Sequence, residues 1–155
     1  MVYECLLSQG QMNYAADSES AGAGYASWTN YSSTPYTSMT HGQRYVNNYA
    51  NDIASAYARY EDAGVLPEGS VVAKDSFLMG ENKSVTVGPL FLMEKMAEGW
   101  NPASGDWKYT MIMNGGNIFG VTNGKNSDGM QFCIDCHVVA EQNDHLFFMP
   151  DEYRN

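Results

Sequence analysis

The sequence predicts an α+β domain, a mainly antiparallel β-sheet with flanking helices and a functional segment close to its C-terminus. Three observations carry that prediction. Alternating stretches at residues 71–79 and 107–113 are separated by turn-forming residues. A tyrosine-rich segment before them recurs at helical spacing. A short helix is expected after the last strand, around Cys133-Ile134-Asp135-Cys136-His137. Strands and helices segregated in this way favour α+β over a parallel α/β sheet.

In chain order, residues 8–40 are rich in Ser, Gly, Ala, Asn and Tyr, with Pro35 among them. They predict irregular wrapping structure with a short helix around residues 14–28, so residues 1–39 are read as an N-terminal extension and 40–155 as the domain. Thr40, with Gln43 in the capping-box position, predicts the start of a longer helix. Tyr45, Val46, Tyr49, Ile53, Ala56, Tyr57 and Tyr60 would form its broad apolar face, and Gly64 its left-handed end. The period then changes. In the strand 71–79, Val72, Lys74 and Ser76 face one way and Val71, Ala73, Asp75 and Phe77 the other. A turn at 80–83 leads to an apolar run, 85–96, interrupted at Gly88-Pro89 because proline cannot donate to a ladder. A turn at 101–105, a strand through Trp107, Tyr109, Met111 and Met113, a turn at 114–117 and a strand at 118–121 complete the sheet.

Composition bounds the function. The chain has 155 residues, 44% of them hydrophobic, enough for one folded domain with a core. No apolar run is long enough to span a bilayer. Eighteen acidic against eight basic residues give a net charge of -10, which argues against nucleic acid as a partner. The loop 122–129 contains glycines but lacks the phosphate-cradle spacing and the calcium-loop order. No Gly-x-Ser-x-Gly nucleophile turn occurs.

Cys133-x-x-Cys136-His137 is the attachment sequence of a c-type haem. Two thiols at that spacing can bond the haem vinyl groups while the adjacent imidazole of His137 reaches the iron. Two other readings remain open on these residues alone. One is a turn with incidental cysteines; the other is a zinc site, which would need His41, His145 or Cys5 to converge from afar. Covalent haem is attached after export, so a periplasmic or equivalent location is expected. The N-terminus shows no basic segment followed by an apolar core, so the export signal is expected to have been removed. Cys5 is left over.

The order of motifs resembles the cytochrome P-460 family, which includes the cytochromes c'-beta. The resemblance rests on His41-Gly42, Pro67 to Asp75, Gly88-Pro89-Leu90-Phe91 with Met93 to Met96, Gly105 to Tyr109, and Cys133 to His137. It implies an antiparallel sheet with helices, a homodimer, and a five-coordinate haem c with one open face. One branch oxidises hydroxylamine and carries a lysine cross-linked to the haem edge; Lys74 is the matching position. A neutral amine there could be a nucleophile, whereas an ammonium could not.

Hydroxylamine oxidation also removes protons, and Glu94 is the first candidate to accept one, with Glu98 and Asp106 as competitors. Phe77, Phe91, Leu92 and Met93 are candidates for an apolar wall against the haem. The expected function is therefore hydroxylamine oxidation, with nitric oxide as a possible co-reactant and an external electron-transfer protein as acceptor. One alternative is a nitric-oxide-binding protein without turnover. The other is an electron-transfer cytochrome in which one of the ten methionines closes the iron.

Overall fold

A computed structural model describes Tyr14 and residues 21–155. Its α+β architecture is built on one antiparallel sheet of eight strands with short helices on either side. The strands are β1 (Thr29–Asn30), β2 (Tyr36–Ser38), β3 (Arg44–Ala50), β4 (Val71–Met79), β5 (Val85–Val87), β6 (Leu90–Lys95), β7 (Trp107–Ile112) and β8 (Ile118–Val121). Their order is β1-β3-β4-β6-β7-β8, with β2 also paired to β3 and β5 to β4. The break between β5 and β6 falls at Gly88-Pro89, as the proline predicts. Cys5 and residues 15–20 of the helix expected around residues 14–28 lie outside the described residues; Tyr14 is helical, whereas residues 21–24 form turns and Tyr25–Ser27 a short 3-10 turn, so no continuous helix runs through residues 21–28.

The helix expected over residues 40–64 is replaced by a strand and a separate helical segment. Gly42 and Gln43 both take positive φ, 76° and 55°, which turns the chain into β3 instead of starting a helix at Thr40. Along β3, Val46, Asn47, Asn48, Tyr49 and Ala50 are all buried, because both faces of this strand are covered. The buried amides are satisfied: Asn48 Nδ2 donates to Tyr57 Oη (2.9 Å) and Asn47 Nδ2 to Asp75 Oδ1 (3.0 Å). Helical geometry begins only after Asn51, whose Oδ1 accepts from Ala54 N (3.1 Å) and from Val71 N (3.0 Å). The segment Asp52–Asp62 is 3-10 and broken at Ala54 and Tyr60. Gly64 does take the left-handed conformation, at φ 70°.

The sheet divides the core in two. On one face Val46, Ala50, Val72, Trp107 and Tyr109 pack with Tyr57, Leu66, Met130, Ile134, Leu146 and Met149. On the other, Tyr49, Ala73, Leu90, Leu92 and Ile112 pack with Tyr14 and Tyr25. The expected alternation along β4 holds, so Lys74 projects toward the first face and Asp75 toward the second. Asp75 is buried among Asn47, Tyr25 and Tyr49, and that burial raises its pKa. The helix α1 (Gln131–His137) covers the first face and is followed by 3-10 turns at Val138–Asn143. No helix among the described residues is long and apolar enough to cross a membrane.

Candidate functional site

On the first face of the sheet is a cavity of about 290 Å³. Its floor comes from Val72 and Lys74 of β4, Phe91 and Met93 of β6, and Tyr109 of β7. Register explains this grouping: Val72 pairs with Met93, Lys74 with Phe91, and Met93 with Tyr109, and residues opposite one another in an antiparallel ladder share a face. α1 forms the opposing wall with Phe132, Cys133, Cys136 and His137, while Thr40, His41 and Arg44 close one end.

Within α1 the three chemically active side chains occupy positions i, i+3 and i+4, which lie on one helical face. Both cysteines are free thiols. Burial pushes the Cys133 thiol up to about 11, so it is not a thiolate at neutral pH. His137 is held down at about 4, first by burial, and is therefore a neutral imidazole. Its Nδ1 bonds the backbone oxygen of His145 at 2.7 Å. A carbonyl can only accept, so Nδ1 carries the proton and Nε2 keeps its lone pair.

Lys74 is half-buried where it lines the cavity. Desolvation pushes its pKa down to about 8, partly opposed by Cys136. His41 bonds Ser38 Oγ through Nδ1 (2.8 Å), sets its ring edge against Phe91 (4.7 Å between centroids), and is held neutral, at about 2, by burial with Lys74 and His137 nearby. Tyr109 lies 5.2 Å from the His137 ring, and its buried hydroxyl has no hydrogen-bond partner among the described residues. A buried hydroxyl left unpaired is costly, so a group filling the cavity has a polar contact waiting for it.

The expected site residues separate into two sets. Cys133, Cys136, His137, Lys74 and Phe91 are brought together around the cavity. Phe77 and Glu94 are not. Phe77 points to the second face and stacks on Tyr45 (5.4 Å between centroids). Glu94 pairs with Val71 and Lys108 in the ladder and forms an ion pair with Lys108, again on the second face. One residue's displacement along a strand reverses its face, and Phe91 and Met93, not Glu94, share the side of Lys74. Glu98 is exposed, and Asp106 holds the amides of Gly99 (2.9 Å) and Asn101 (2.8 Å) in a turn. Among the described residues no Asp or Glu lines the cavity.

His41 and Tyr109 were not assigned to the site from sequence. The legible signal for His41 was the glycine after it, which permits the turn that brings the imidazole back over the sheet.

These residues fit a haem. The cavity walls are mostly apolar, one neutral imidazole has a free nitrogen, two thiols flank it, and one buried hydroxyl is unpartnered. A free-standing chelated metal fits less well, since no three His, Cys, Asp or Glu side chains converge among the described residues. No curated protein sequence matches the chain. The family described as Cytochrome P460 matches residues 22–148, which spans β1 through the helix carrying Cys133, Cys136 and His137. The chain belongs to the Cytochrome P460 family.

Proposed function

We propose that the cavity holds a haem c, attached through Cys133 and Cys136 with His137 as its proximal ligand, and that the protein oxidises hydroxylamine. The observation carrying this reading is the opposition, across one apolar cavity, of the Cys133-Cys136-His137 face and the depressed amine of Lys74. Bound there, haem supplies an open iron coordination site and a route for electrons to an external acceptor protein. His137 offers Nε2 while its Nδ1 proton is held by His145. Phe91 and Met93 exclude water from the ligand side. At neutral pH roughly a tenth of Lys74 is free amine, given a pKa of about 8. That fraction has the lone pair needed to accept a proton from a nitrogen ligand, or to add to the haem edge in a substitution that would release one N-H and one ring C-H proton and pass two electrons to the external acceptor. Covalent haem attachment implies an exported, periplasmic protein, and the family resemblance a homodimer.

Steady-state turnover of the haem-loaded protein with hydroxylamine and an artificial acceptor, with intact-mass and peptide mapping, tests this. Turnover that Lys74→Met abolishes supports it; no turnover above that variant overturns it. Glu94→Gln is expected to change turnover less than twofold, because its carboxylate stands on the other face of the sheet.

A second reading is favoured by the mostly apolar lining, which carries no carboxylate among the described residues: an apolar chamber that binds nitric oxide without turnover. A stable ferrous nitrosyl, haem attached only through the cysteines, and no hydroxylamine oxidation would select it.

Lys74 also sets a pH dependence in the haem-free protein. Its folded pKa, about 8, is below the ordinary 10.5. Between those values the unfolded chain binds more protons, so stability rises with pH through that window. The full effect is about 3 kcal/mol. Urea titrations from pH 7.5 to 10.5 should show a rise that Lys74→Met removes.

A further inference from the structure

The carbonyl that holds His137 belongs to an unusual turn. Asp144 and His145 both take left-handed backbone conformations, at φ 54° and 62°. For residues other than glycine this conformation is uncommon, and two in succession persist only where surrounding contacts enforce them. The enforcing contacts are all present. Lys95, at the end of β6 and 9% exposed, places Nζ 2.5 Å from Asp144 Oδ1 and 2.9 Å from the Gly105 carbonyl oxygen. The second carboxylate oxygen of Asp144 accepts from Leu66 N (2.9 Å), and its backbone oxygen accepts from Trp107 Nε1 (2.7 Å). His145 N donates to Ala140 O (2.9 Å). The His145 ring lies on Gly105 so closely that a Cβ there would overlap it.

We propose that Lys95 and Asp144 are positioning residues for His137: their buried ion pair fixes the 144–145 turn so that the His145 carbonyl holds the imidazole in its Nδ1-protonated tautomer. Stability alone is a weak reason for such a pair, because burying two charges costs about what their attraction returns, and apolar replacements of similar volume are often as stable. A fixed acceptor for the ligand's second nitrogen is a better one. It sets the ring's tautomer and orientation and raises the basicity of Nε2.

That consequence for the iron rests on the haem reading, but the tautomer of His137 does not. The double variant Lys95→Met/Asp144→Asn removes both charges, so net charge is unchanged and no unpaired ion is left. Asparagine tolerates the left-handed conformation and can still accept from Leu66 N. In the haem-free protein, imidazole nitrogen NMR should show His137 as a single Nδ1-H tautomer in the wild type and as a mixture in the variant. In the haem-loaded protein, the ferrous iron-histidine stretch should move to lower frequency and the reduction potential should rise. Lys95→Arg, which keeps the charge and the donors, should restore the wild-type tautomer and stretch.

A folded double variant that retains the single tautomer would falsify the proposal. Should the double variant not fold, Lys95→Gln is read in the same way; unfolding of both would assign the pair to stability and also overturn the positioning role. A chain that takes up no haem at all refutes the haem reading while leaving the haem-free tautomer measurement to decide this one.

Discussion

In a Lys74→Met background, which removes the amine able to bond the haem edge, replacing Cys133 and Cys136 together with alanine should reduce covalently held haem from stoichiometric to undetectable, read as loss of the haem mass increment on the denatured chain. Each attachment forms one carbon-sulfur bond, with the thiol proton passing to the vinyl group, so each cysteine accounts for one bond. Either single variant should retain haem through the other thioether. His137→Ala should behave differently: both cysteines remain, so the mass increment persists, while the iron loses its proximal nitrogen and the ferrous spectrum changes. The contrast follows from the geometry of α1, where i, i+3 and i+4 side chains share the face that lines the cavity. A zinc site predicts no haem mass increment in any of these chains, and it lacks ligands, since no three His, Cys, Asp or Glu side chains converge among the described residues. A variant lacking Cys133, Cys136 and Lys74 that still carried haem on its denatured chain would refute the attachment.

How much of this was legible in the sequence depended on how local each feature is. The Cys133 to His137 group lies within one and a half helical turns, so its chemistry could be read directly. The same holds for β4, where alternation placed Lys74 and Asp75 on opposite faces before any partner strand was known. β3 was illegible because both its faces are buried; Val46, Asn47, Asn48, Tyr49 and Ala50 show no alternation, and the tyrosines happen to recur at helical spacing. Glu94 was misplaced for a further reason. Its face depends on the register between β4 and β6, which pairs Lys74 with Phe91. The alternation within β6 leaves open which set of side chains joins Lys74 until that register is known. Register across the sheet and the return of the 40–44 turn are long-range properties, and they decide which groups other than the cysteines and His137 meet in the cavity.

Trp107→Ala should lower stability by about 5 kcal/mol, the largest loss expected from a single substitution. The indole is fully buried at the start of β7, in the core cluster that also contains Leu66, Leu146 and Met149. Truncating a buried tryptophan leaves a cavity, and such substitutions cost about 3–5 kcal/mol. Here Asp144 O also loses its Nε1-H donor, and the Lys95 ammonium loses the ring 5.0 Å beneath it. Total stabilities of single domains lie at about 5–15 kcal/mol, so this one change removes a large share. For a domain of this length the melting temperature should fall by about 10–20 °C, measured on the haem-free protein to separate the effect from haem binding. Trp107→Phe fills most of the same space but cannot donate, and should cost only about 2 kcal/mol. Comparing the two separates packing from the hydrogen bond. If the phenylalanine variant also loosens the single tautomer of His137, the indole acts on the site through Asp144 as well as through the core. An alanine variant as stable as wild type would mean that the packing of Trp107 is not what holds the sheet, the 144–145 turn and α1 together.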